Sequence, residues 1–223
     1  MNMHCKVIPV IHYQSDEQAM RNAERAVDAG CDGVFLIHMD GENELLAPIA
    51  CRIKSRWTDS LLVGINYLGE DPAKAALSNV ANGLDMTWTD AQLTHSSADP
   101  WTYAAMVRDA LAKSPKHLLF AGVAFKHQRH EPQPELAARM TDQFGFVATT
   151  SGSATGVAAE VDKIARLRAA LGDAPLAIAS GVTPENVHEY APHLTHILVA
   201  TGVSESFYEF DYEKLYRLRS LCQ

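Results

Sequence analysis

Three stretches in the last third of the chain concentrate glycine and hydroxyl side chains: Thr149-Thr150-Ser151-Gly152-Ser153-Ala154-Thr155-Gly156, Ser180-Gly181-Val182-Thr183 and Thr201-Gly202-Val203-Ser204. Glycine lets backbone approach a ligand closely, hydroxyls donate to anionic oxygens, and amides at the start of a helix present unpaired N–H groups. The chemistry these residues suit is the binding of a phosphate, through Ser151, Gly152, Ser153, Thr155, Gly156, Ser180, Gly181, Thr201 and Gly202. The competing reading is plain turn and cap chemistry, which uses the same residue types. Three such loops together favour the anion.

A second group of residues offers acid and base chemistry. Lys126 follows the apolar run His117 to Phe125 and is joined to His127. Partial desolvation there lowers an amine's pKa and suits it to act as a base, a Schiff-base nucleophile or an anion clamp. The alternative is a surface lysine. His38, Asp40 and Asp90 complete a candidate catalytic set, with His12, Asn66 and Trp88 as candidate pocket residues. No HExxH pattern or CxxC knuckle is present, so no cofactor is specified, and a divalent metal on these His and Asp residues stays an open alternative. Asp40 and Asp90 equally suit turn or cap roles.

The elements that must position these residues are legible as a repeat. A short apolar run followed by an amphipathic stretch recurs eight times, with strands expected at 6–11, 33–37, 61–65, 83–88, 117–125, 145–149, 175–179 and 196–200. Ser15 reads as the cap of the first helix, Pro72 and Pro100 stand near the starts of the third and fourth, Gly172 closes the sixth, and Thr183-Pro184 is expected to open the seventh. Continuous apolar strands alternating with helices indicate a parallel sheet, and eight units close as a (β/α)8 TIM barrel in one domain over residues 1–223. An open doubly wound sheet is the alternative; it normally has a glycine-rich first turn, where this chain has His12-Tyr13-Gln14. In a barrel the C-terminal ends of the strands converge on one mouth, and the candidate site residues named above fall there.

Composition limits the partners. A formal net charge of -8 and the lack of a Lys/Arg block argue against nucleic acid. No apolar run is long enough to insert in a membrane, and four scattered cysteines with no apolar leader fit a cytoplasmic protein. The partner expected is a small phosphorylated ligand. Phe207, Tyr208, Phe210 and Tyr212 form an aromatic segment read as a lid or an interface patch, which makes a homo-oligomer an expectation.

Lys126-His127, Ser153-Ala154-Thr155-Gly156 and the run Ser180-Gly181-Val182-Thr183-Pro184-Glu185-Asn186-Val187 resemble elements of the BtpA family of barrel proteins, relatives of the ribulose-phosphate-binding barrels. The resemblance covers about residues 115–220. It implies a phosphate-binding barrel and leaves the reaction unassigned. The first strand lacks that family's Leu-Pro-Gly loop, His38-Met39-Asp40 replaces an acidic-Asn pair, and Ala200-Thr201-Gly202 replaces a Gly-Thr-Ser-type ending. Two functions follow as expectations: an enzyme acting on a phosphorylated sugar or nucleotide-like metabolite by isomerase, lyase or glycosyl-transfer chemistry, and a non-catalytic ligand sensor or assembly factor.

Overall fold

The computed structural model describes residues 5–97, 101–154 and 156–222. Eight parallel strands close into a barrel in sequence order, and β8 pairs back onto β1 through Val7 beside Ile197 and Ile8 beside Leu198. The strands are β1 (Lys6–His12), β2 (Gly33–Ile37), β3 (Leu62–Asn66), β4 (Met86–Thr89), β5 (Leu118–Gly122), β6 (Val147–Thr150), β7 (Leu176–Ala179) and β8 (His196–Val199). The helices between them are α1 (Asp16–Asp28), α2 (Leu46–Arg56), α3 (Pro72–Ala81), α4 (Trp101–Ala110), α5 (Pro134–Gln143), α6 (Val161–Leu171), α7 (Val187–Tyr190) and α8 (Tyr212–Leu221). The expected TIM barrel is the observed fold.

Local chemistry explains most helix boundaries. The Ser15 side chain accepts from the Gln18 amide, and Asp71 and Asp211 do the same for the Lys74 and Lys214 amides. Each such cap stabilises its helix by about 1 kcal/mol. Pro72 and Pro134 occupy first turns, where a missing N–H is harmless. The expectation for the seventh helix is corrected. Thr183 caps the turn, its hydroxyl accepting from the Glu185 amide at 3.2 Å while Asn186 accepts from the Thr183 amide and donates to the Gly181 carbonyl, but the regular helix begins only at Val187 and lasts one turn. Pro100 lies outside the described residues.

Both faces of the strands are buried, which is why they read as unbroken apolar runs. Inside the barrel, Phe35 and Phe120 meet edge to face at 5.3 Å, with Ile8, Met86, Val147, Ala177 and Leu198 filling the remaining space. Outside, Leu36, Ile49, Ile53, Ile164, Leu167 and Leu215 pack strands against helices. β5 is shorter than its apolar run: the ladder stops at Gly122, and residues 123–128 form a tight loop in which Ala124 and His127 take left-handed φ values of 46° and 64°. Lys126 therefore stands on that loop, four residues beyond the strand.

Candidate functional site

A cavity of about 380 Å3 occupies the C-terminal mouth of the barrel. Around it, in strand order, stand His12, Asn66, Trp88, Asp90, Lys126, His127, Ser180, Gly181, Thr201 and Gly202. The mouth thus collects one or more sequence-predicted residues from six of the eight strand ends.

Asp90 and Lys126 both line the mouth, and their acid–base behaviour is shifted in opposite directions. Solvent reaches Asp90 through the mouth, yet protein surrounds it, and that desolvation pushes its carboxyl above the usual carboxylate range; Asn66 and Lys126 pull the other way. The Nδ2 of buried Asn66 reaches Asp90 Oδ2 at 3.5 Å. Burial likewise lowers the Lys126 ammonium below its usual value, with Asp90 opposing the shift. His12, at the end of β1, is held below the imidazole range by burial; its Nδ1 lies 2.9 Å from the Phe207 carbonyl and its ring stacks on Phe207 at 4.2 Å. His127 is exposed at the rim.

The loops carrying this pair are braced by residues with no evident sequence signal. Gln128 donates to the Asp90 carbonyl at 2.9 Å and accepts from the Phe125 amide, tying the loop after β4 to the loop after β5. Lys163 reaches from α6 to the carbonyls of Ala124 and Ser151 at 2.8 and 3.0 Å. Its place on an amphipathic helix looks like that of any surface lysine. The apolar walls of the mouth, Val10, Ile37, Met39, Leu68, Phe125 and Leu198, were also not singled out, although their strand-end positions could have revealed several of them.

The loops after β6, β7 and β8 touch one another. A Cβ at Gly181 would fall 2.3 Å from the Ala158 Cα, and one at Gly202 would fall 2.0 Å from the Val182 carbonyl oxygen. Gly181 also has φ 78°, and its neighbour Ser180, a non-glycine residue, has φ 95°. Such backbone is strained for Ser180 and persists only where surrounding contacts enforce it. Among the described residues the amides of Gly181, Thr201 and Gly202, and the Thr201 hydroxyl, donate to no protein acceptor.

Several expected donors point elsewhere. Ser151 is fully buried; its hydroxyl accepts from the Lys126 amide at 2.8 Å and donates to the Gly152 carbonyl, so it positions Lys126 and cannot serve a ligand. The Ser180 hydroxyl accepts from the Gly156 amide at 2.8 Å and lies 3.4 Å from the Ala154 carbonyl. Ser151, Gly152 and Ser153 line a separate cavity of about 510 Å3 between the loops after β5 and β6, which also contacts His130 and Lys163. Gly156 lines neither cavity. Thr155 lies outside the described residues. Of the three loops marked in the sequence, those after β7 and β8 open on the mouth, whereas the loop after β6 supports its neighbours.

His38 and Asp40 also fall outside the mouth. The His38 ring packs against Tyr13 at 5.8 Å and lies near Glu42, while Asp40 is exposed at the turn that follows. Among the described residues no three His, Cys, Asp or Glu side chains are grouped to hold a metal ion. No described helix is long and apolar enough to cross a membrane. The aromatic segment is strapped to α1: Gln18 and Asn22 donate to the Tyr208 carbonyl, and Arg25 pairs with Glu209 at 3.0 Å.

No protein-family model matches this chain, and no curated protein sequence matches it. Solved structures do resemble it. A phosphoribosyl anthranilate isomerase from Thermotoga maritima is 14% identical and superposes with a TM-score of 0.69, covering 98% of each chain. KGPDC from Streptococcus mutans is 11% identical with a TM-score of 0.71, over 98% of this chain and 97% of that chain. A native KDPGal structure is 14% identical with a TM-score of 0.70, over 96% and 93% respectively. The likeness is one of fold. All three superpose along nearly the whole barrel, which makes the chain a single (β/α)8 unit.

Proposed function

We propose that the chain is an enzyme acting on a small phosphorylated sugar or nucleotide-like metabolite, by proton transfer at a carbon next to a carbonyl. One observation carries this reading: Asp90 and Lys126 share the mouth, where the surrounding protein moves the acid up and the amine down. A carboxylate made more basic removes a proton more readily at neutral pH, and a desolvated ammonium stabilises the enolate oxygen that forms. Asn66 orients Asp90, and the amides of Gly181, Thr201 and Gly202 hold the phosphate across the mouth. Loops after the seventh and eighth strands are a common phosphate position in this fold. The fold neighbours agree in kind, since one is named as an isomerase of a phosphoribosyl compound. The BtpA-like elements agree in place, because Lys126-His127 and Ser180-Gly181 both border the mouth.

The test is Lys126→Ala, assayed on a panel of phosphorylated sugars for isomerisation and for binding. Turnover is expected to be abolished while phosphate-ester affinity stays within about tenfold. An equal loss of binding and turnover would remove Lys126 from the chemistry.

One observation favours a non-catalytic ligand sensor of the BtpA type: His38 and Asp40, expected in the acid–base set, stand outside the mouth. On that reading sugar phosphates raise the melting temperature of the wild-type protein and no member of the panel turns over.

A further inference from the structure

We propose that the phosphorylated substrate carries a flat, apolar substituent, seated on the part of the mouth built by the ends of β1, β2 and β3. The inference rests on the phosphate-ester reading above and specifies the substrate class. Its basis is the circular order of the strands. Phosphate donors belong to the loops after β7 and β8, and the acid–base pair to those after β4 and β5. A ligand anchored at the first and reacting at the second still borders the arc from β1 to β3. That arc is walled by Val10, Ile37, Met39 and Leu68, with the Trp88 and Phe125 rings meeting at 6.2 Å beside it.

The arc holds two polar side chains, and each already has one of its polar atoms engaged. His12 is stacked on Phe207 and hydrogen-bonded to its carbonyl, and Asn66 is turned to Asp90. A fully hydroxylated sugar lying there would lose water from several hydroxyls and find at most one or two partners for them, which disfavours such a ligand. An aromatic or comparably apolar group instead removes apolar wall and apolar ligand from water together. The size agrees. A mouth of about 380 Å3 falls among small-molecule pockets and exceeds what a phosphate on a three-carbon chain fills.

The experiment compares propyl phosphate, 3-phenylpropyl phosphate and 3-phenylpropan-1-ol by titration calorimetry, on the wild-type protein and on the double variant Met39→Gln, Leu68→Gln. The Leu68 side chain is only partly buried and Met39 is 49% exposed, so both exchanges leave the core intact. Phenylpropyl phosphate is expected to bind the wild type at least about tenfold tighter than propyl phosphate. The double variant should shrink that ratio severalfold. Equal affinity for the two esters in the wild type, or an unchanged ratio in the variant, overturns the inference. If the alcohol binds and neither ester gains from its phosphate, the apolar seat stands and the phosphate-ester reading falls. If nothing binds, both fall.

Discussion

At the scale of single residues, the proposed chemistry rests on two groups whose charges are disfavoured by desolvation. Asp90 sits above its ordinary pKa and Lys126 below, so the window in which one is basic and the other cationic narrows from both sides. Turnover should therefore rise on a limb displaced above the usual carboxylate value and fall on one displaced below the usual amine value, read from a kcat/KM profile. Stability offers a check without substrate. Because the folded pKa of Asp90 is raised, folding favours its neutral form: below the unfolded value nothing is lost, and the penalty grows as pH rises through the folded value. Asp90→Asn removes that penalty. Its melting temperature should exceed that of the wild type at about pH 8, and the gain should vanish near about pH 3; a gain that is constant across this range would contradict the burial argument.

At the scale of elements, the three glycine-rich loops divide their work. The loop after β6 braces: Ser151 holds the Lys126 amide, and Gly156 holds the Ser180 hydroxyl. The loops after β7 and β8 face the mouth. Gly181 lies where these roles meet, with left-handed φ and no space for a Cβ against the backbone of Ala158. Gly181→Ala is expected to lower unfolding free energy by about 1–3 kcal/mol, seen as a shifted urea midpoint, and to weaken phosphate binding at the same time. A variant that loses stability but binds phosphate as before would separate Gly181 from the anion site. Polar residues of the Ser-Gly-Val-Thr-Pro-Glu-Asn run cap the turn through Thr183 and also hold this loop in shape through Asn186.

At the scale of the molecule, the barrel separates the mouth that carries the proposed chemistry from the opposite end of the strands. His196 lies at the N-terminal end of β8, only 6% exposed, with its ring edge against Phe120 at 5.2 Å and its Nδ1 on Thr195. Burial lowers its pKa from 6.5 to about 4. The neutral ring is the folded form, so its contribution is complete above about pH 6.5 and is lost as pH falls toward about 4, by up to about 3 kcal/mol. His196→Gln should flatten the acid limb of a stability curve measured by chemical denaturation. An unchanged limb would mean that other groups govern acid unfolding.

The sequence by itself determined the eightfold repeat, the closed parallel barrel and the end of it where the candidate site lies, because each strand and helix is written in short-range periodicity and its boundary in a local residue such as Ser15, Pro72 or Gly172. It also marked Asp90, Lys126, Gly181 and Gly202, which strand-end position alone selects. Tertiary structure decided which side chains at those ends face the mouth. Ser151 and His38 are as close in sequence to their strands as Asp90 is to its own, yet one is enclosed beneath Lys126 and the other packs on Tyr13. The supports Gln128 and Lys163, and the apolar arc from Val10 to Leu68, emerge from the same source. Such directions depend on single backbone dihedrals in the loops and on contacts between segments remote in the chain, and neither leaves a periodic trace in the order of amino acids.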